Sequence, residues 1–225
     1  MNSVSVEQII ELLVKVYGDR EWILNNDPIG ELIRTILSQN TSDHNSYLAF
    51  GTLKSRFKDW EHVADASPTA IANTIRAGGL AKIKANYIKQ ALKEIKRLRS
   101  NLNLSFLKEY SIEDARSWLM QLPGVGMKTA SCVLLFSLGM PAFPVDTHVA
   151  RVARRLGLIG AKISADKAHL LLESLVHPEL VYKCHVLLIE HGRKICKSQR
   201  PLCTSCVLQG ICPSYDKCVT GSKGC

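Results

Sequence analysis

Apolar residues recur along this chain at three- and four-residue spacings and nowhere alternate over a strand's length, a pattern that predicts helices and no sheet. Val6, Ile9, Ile10, Leu13, Val16 and Tyr17 form one stripe, with Ser5 and Gln8 placed as an N-terminal capping box. Asp27-Pro28 starts a second helix, whose Ile29, Leu32, Ile33, Ile36 and Leu37 share a face. A third helix is expected over about 42–57, and Ser67-Pro68 opens a short fourth. The segment 81–100 is expected to bury Ile83, Tyr87, Ile88, Ala91, Leu92, Ile95 and Leu98 and to point its lysines and arginines outward. Ser111 and Asp114 begin a helix that ends near Met120; after Leu122-Pro123-Gly124-Val125-Gly126 a helix resumes to about 138. Further helices fit 147–156, 165–176 and 179–195, with no repeat or low-complexity stretch. The expected fold class is all-α.

Composition narrows the setting. The 225 residues are 46% hydrophobic, enough for one large domain or two small ones. No apolar run is long enough to span a bilayer. The start, MNSVSVEQII, lacks a basic region followed by an apolar stretch, so an intracellular location is expected. A net charge of +9 points to a polyanionic partner, of which nucleic acid is the commonest.

The stretch LPGVGMKTA carries the first chemical signal. Glycines at 124 and 126 permit a close backbone approach, and the N–H groups that open the following helix suit an anion such as a DNA phosphate. A bare glycine pair would equally fit a tight turn between helices with no ligand. Lys128 falls in the first turn of that helix, where the helix dipole disfavours a cation. It is either a solvated surface lysine or a nucleophilic amine. Eighteen residues on, VDTHVARVARRLG places Asp146 just before another helix, as an N-cap that could also serve chemistry beside Lys128.

Four of the eight cysteines, Cys196, Cys203, Cys206 and Cys212, crowd into seventeen residues. Disulfides are not expected in a reducing compartment, so the array calls for a metal or a cluster. Four thiolates suit structural zinc and iron–sulfur alike, and unliganded thiols would leave this loop-rich segment without a core. Cys132 and Cys184 sit on apolar helical faces as core residues, while Cys218 and Cys225 lie outside the array and receive no role. Arg151, Arg154 and Arg155 are either phosphate contacts or surface charge.

Taken together, these stretches resemble the helix–hairpin–helix DNA glycosylase superfamily, most closely its endonuclease III branch. LSQNTSD (37–43), GLAKIKANYI (79–88), the hairpin, VDTH, HGRKIC and the cysteine array occur in that family's order over nearly the whole chain. The resemblance implies two helical domains with a DNA-binding cleft between them. One is a six-helix block over 23–140 containing the hairpin; the other is an iron–sulfur domain from 1–22 and 141–215, followed by a flexible tail over 216–225. It implies extrusion of a damaged nucleotide from double-stranded DNA. Lys128 then attacks the sugar, Asp146 stabilises developing charge, and a Schiff base leads to β-elimination. Bifunctional glycosylase and abasic-site lyase activity on oxidised pyrimidines such as thymine glycol is the expected function.

By the same resemblance Cys196, Cys203, Cys206 and Cys212 hold one 4Fe-4S cluster whose loop brings Lys197 and Arg200 to the DNA backbone. Gly124, Val125 and Gly126 meet phosphate. The residue matching the family's gap filler, usually glutamine, is Asn40, preceded here by Gln39, and one of the two fills the gap left by the flipped base, while Leu80 wedges into the opposite strand. Asp43 stands near the pocket or caps a helix, and His148 lines the pocket or supports it. A monomer is expected, intracellular and cytoplasmic or nucleoid-associated, or nuclear or organellar in a eukaryote. The competing readings are a glycosylase of the same fold for uracil or thymine opposite guanine, a non-catalytic iron–sulfur DNA-binding protein, and a zinc-stabilised DNA-binding module.

Overall fold

The computed structural model describes residues 5–220, and every regular element among them is helical. The helices are α1 (Val6–Tyr17), α2 (Pro28–Ser38), α3 (Asp43–Arg56), α4 (Trp60–Asp65), α5 (Pro68–Thr74), α6 (Ala81–Arg99), α7 (Ile112–Met120), α8 (Met127–Val133), α9 (Thr147–Arg155), α10 (Ala165–Leu175), α11 (Val181–Lys194) and α12 (Tyr215–Val219). Their starts follow from side-chain chemistry. Ser5, Asp27, Ser42, Asp59, Ser67, Ser111, Asp146 and Ser164 each accept the backbone N–H three residues on, which satisfies one of the orphan donors of a helix start. The starts of α6 at Leu80 and α8 at Gly126 have no side-chain cap.

The chain divides into two compact units. The first, Leu24–Met140, is organised around α2, whose Ile29, Leu32, Ile33, Ile36 and Leu37 are all buried against α3, α6 and α8. Asp27 fixes its entry: Oδ1 accepts from Gly30 N and from Trp60 Nε1, each at 2.8 Å, so one carboxylate ties α2 to α4. Among the described residues this unit contains seven α-helices where six are expected from the pattern. The additional one is α4, which Asp59 caps and the Ala66-Ser67-Pro68 corner separates from α5; its six residues are too few to show a periodicity. Past α8 the backbone continues as a π-helical turn, Leu134–Leu138, and Gly139 closes it at φ 70°.

Helix α6 departs from expectation at both ends. Ile83 and Leu98 are exposed, as is Val16 on α1, because the first and last turns of these helices run past the core they cover. Lys84, expected to face outward, is only 2% exposed.

The second unit joins the chain up to Ile23 to the chain from Pro141. Here α11 packs on both α1 and α9, burying Ile9, Leu13, Val149, Val152, Leu187 and Leu188. Cys184 lies in this core, and burial pushes its thiol up to about 12; Cys132 is buried in the other unit. Residues 216–219, assigned to a flexible tail, are instead part of α12, closed by Cys218 N to Ser214 O and Thr220 N to Asp216 O. Cys225, like the rest of that tail from 221, lies outside the described residues.

Candidate active site and cysteine centre

The hairpin is built by α7, the turn 121–126 and α8. Gly124 sits at φ 79°, and a Cβ there would lie 2.5 Å from Tyr87 Cγ of α6, so the protein's own packing demands glycine. Gly126 differs. A Cβ at that position meets nothing within 4 Å, so nothing within the fold requires glycine there. Val125 is buried, and its N–H donates to Leu122 O at 3.1 Å.

This difference gives a paired prediction. Gly124→Ala should lose about 2–4 kcal/mol of stability through backbone strain and the clash with Tyr87, read as a lowered midpoint in urea. Gly126→Ala should leave that midpoint within about 0.5 kcal/mol and instead weaken DNA binding; equal midpoints for the two variants would contradict this assignment of the two glycines.

Lys128 occupies the second position of α8, half-buried. Asp146 is the N-cap of α9: Oδ1 accepts from Val149 N at 2.8 Å. Its other oxygen makes no hydrogen bond among the described residues. The backbone leading to Asp146 is firmly held. Phe143 N donates to Glu173 Oε2 (2.9 Å), buried His169 places Nδ1 2.8 Å from Phe143 O and 3.2 Å from Val145 N, and buried His185 donates Nδ1 to Pro144 O (2.9 Å). Sequence reasoning missed these three positioning residues; isolated histidines on apolar helical faces were the available signal.

His148 is half-buried, with Nδ1 3.1 Å from Arg151 Nη2. Asp43 is exposed in the first turn of α3, and the cap of that helix is Ser42, so the N-cap alternative for Asp43 falls. Gln39 donates Nε2 to Gly124 O at 3.1 Å. Asn40 and Leu80 are exposed and stand at φ 49° and 48°, the left-handed region that non-glycine residues rarely adopt. Arg200, also exposed, is at φ 50°, and Lys197 is exposed beside it in sequence. Among the described residues, three of the five non-glycine residues at positive φ are thus residues singled out from sequence as DNA contacts, and such strain concentrates at functional sites.

Cys196, Cys203, Cys206 and Cys212 line a single cavity with Arg155 and His191. Four thiols around one cavity suit a thiolate-bound metal centre. Burial, reinforced by the neighbouring cysteines, pushes Cys206 up to about 11 and also raises Cys203 and Cys212. Arg155, 7% exposed, donates Nη1 to Cys196 Sγ (3.3 Å) and Lys197 O (2.7 Å). Arg151 donates Nε to Cys196 O (2.9 Å) and Nη2 to Gly192 O (2.8 Å), and Arg154 donates Nη2 to Ile163 O (3.0 Å). All three arginines donate hydrogen bonds within the fold, Arg155 buried and Arg151 and Arg154 half-buried, so none is free surface charge.

The HhH-GPD superfamily base excision DNA repair protein family matches residues 33–178. This chain belongs to that family. A putative DNA glycosylase of Arabidopsis thaliana is 41% identical over 167 residues, which are 74% of this chain and 57% of that protein. The chain therefore spans just over half the length of that plant relative. Endonuclease III of Thermotoga maritima is 34% identical over 93% of both chains. Among solved structures, a trapped endonuclease III–DNA covalent intermediate, an estranged-adenine complex, superimposes with a TM-score of 0.78 at 28% identity, covering 95% of this HhH-GPD chain and 98% of the other.

Proposed function

We propose that this HhH-GPD protein is a base excision repair DNA glycosylase with abasic-site lyase activity, acting on double-stranded DNA that carries an oxidised pyrimidine such as thymine glycol. The observation that carries the reading is Lys128, the second residue of a helix without a side-chain cap and two residues after Gly126, a glycine that the fold itself does not need. An endonuclease III relative trapped covalently on DNA supports the covalent route.

In this scheme the neutral Lys128 amine attacks C1′ of the damaged nucleotide, and the C1′–N bond electrons leave with the base. Ring opening gives an imine between Lys128 Nζ and C1′, which a water nucleophile cannot form. Loss of a C2′ proton then expels the 3′-phosphate by β-elimination. The carboxylate of Asp146, with one oxygen spent on its helix and the other unused, stabilises positive charge on the sugar and assists deprotonation of the amine. Asn40 fills the space of the extruded base; Gln39 is already committed to Gly124 O. Leu80 wedges into the opposite strand. Gly124, Gly126, Lys197 and Arg200 meet the phosphate backbone, which positions the protein without reading sequence. Asp43 and His148 border the damaged base.

Cys196, Cys203, Cys206 and Cys212 would hold one 4Fe-4S cluster, which when bound cross-links a segment with almost no core of its own. The protein acts on DNA as a monomer, in whichever compartment holds that DNA.

Borohydride trapping tests the reading on duplexes carrying thymine glycol, uracil opposite guanine, or oxidised guanine. A covalent adduct with thymine glycol is expected to form fastest. Preference for uracil opposite guanine would transfer the assignment to mismatch repair. Base release with no adduct on any duplex would remove the lyase step, and tight binding without release would leave a non-catalytic DNA-binding protein.

A further inference from the structure

Lys84 lies in the first turn of α6, buried, with Nζ 2.7 Å from Leu37 O and 2.7 Å from Gly78 O. Both carbonyls are of the kind a helix end leaves without a partner: Leu37 is in the last turn of α2, and Gly78 ends the 3-10 turn Arg76–Gly78. Burial lowers the affinity of this amine for its proton, yet either protonation state carries the two N–H donors that the carbonyls need.

The backbone just beyond each carbonyl gives the contact its meaning. Three residues past Leu37 the chain turns left-handed at Asn40, and two residues past Gly78 it does so at Leu80. Conformations of this kind persist only where the surroundings over-determine them. Lys84 anchors the backbone immediately before both. One turn along α6, Tyr87 fills the space beside Gly124, and Gln39 reaches Gly124 O. One helix face therefore supports the Gln39–Asn40 loop, the Gly79–Leu80 loop and the hairpin, all within the same compact unit.

We infer that Lys84 is a positioning residue of the DNA-contacting surface: it locks the Asn40 and Leu80 loops to one another, so that both meet DNA already formed. The inference rests on the reading that these loops touch DNA. Preformed loops lower the ordering cost of binding, and displacing such residues by an ångström can cost on the order of 100-fold in rate.

The test compares wild type, Lys84→Met, Lys84→Arg and Leu80→Ala. Amide hydrogen exchange is followed in the free protein. Binding is measured to a duplex with a tetrahydrofuran abasic analogue opposite 2-aminopurine, whose fluorescence reports displacement of the opposite base. Lys84→Met, near in length but without donors, is expected to lose protection at 38–41 and 77–81 while the rest of α2 and α6 stays protected. Its affinity should fall about 10- to 100-fold and the fluorescence change should shrink, with Lys84→Arg restoring most of both. Unchanged loop exchange in Lys84→Met overturns the inference. So does loss of protection along all of α2 and α6, or failure to fold, since Lys84 would then hold the core and not the loops. If Leu80→Ala leaves binding and fluorescence intact, it is the wedge assignment that fails, and the exchange comparison still decides the lock.

Discussion

Lys128→Gln should bring strand nicking and borohydride-trapped adduct down by roughly a thousandfold or more, while duplex binding changes little. Glutamine is one atom shorter and stays polar near the start of α8 but its amide cannot form an imine, so the loss falls on the covalent step. The measurement is single-turnover cleavage and adduct yield on a thymine glycol duplex, beside the affinity of the same protein for an uncleavable abasic analogue. Undiminished adduct would identify another amine as the nucleophile and dissolve the assignment of Lys128. Asp146→Asn is the matching control. Asparagine caps a helix as well as aspartate does, so the bond to Val149 N survives and only the charge is lost. Base release should then fall without a change in stability.

Much of the fold was legible because it is written in local chemistry. Ser5, Asp27, Ser67 and Ser111 announce their helices through an acceptor placed three residues ahead of an orphan N–H, and α2 shows its core face in a single five-residue stripe. What stayed hidden depends on partners distant in sequence. Lys84 reads as one outward lysine among several on α6, and only the approach of Leu37 O and Gly78 O makes burial favourable. Arg155 reads as surface charge until the loop at Cys196–Ser198 folds over it. Ile83 and Leu98 err the other way, since periodicity continues to the end of a helix after the core has stopped.

Within the candidate site the division is the same. The residue types of Lys128, Asp146 and the four cysteines left their roles open between bland and chemical readings, and it was the order of the motifs along the chain, shared with the family, that named them. Val125 was named with its neighbours because it stands between two glycines, and its burial could not be read from the sequence. The two glycines look alike in sequence and are set apart only by Tyr87, which comes from a different helix and packs beneath one of them alone.

Cys206→Ser should destabilise the unit that contains it by at least about 4 kcal/mol, the scale on which loss of a bound metal centre stands out from ordinary substitutions. The reason lies in how little else holds the segment. From Cys196 to Thr220, Leu208 is the one buried residue among those described, and the regular structure amounts to the 3-10 turn Cys203–Ser205 and α12. Cys206 Sγ accepts from Leu208 N at 3.4 Å and stands 3.6 Å from His191 Nε2, whose Nδ1 meets Tyr17 OH at 3.1 Å. A fault at this sulfur therefore reaches α11 and α1. The protein purified without oxygen should contain about four iron and four sulfide per chain, as a 4Fe-4S centre requires. Cys206→Ser should lose the visible absorption of the cluster, with increased exchange spreading from 196–214 into α11. One zinc and no sulfide in the wild type would replace the cluster with a mononuclear site. Full iron content and unchanged stability in Cys206→Ser would remove Cys206 from the ligand set.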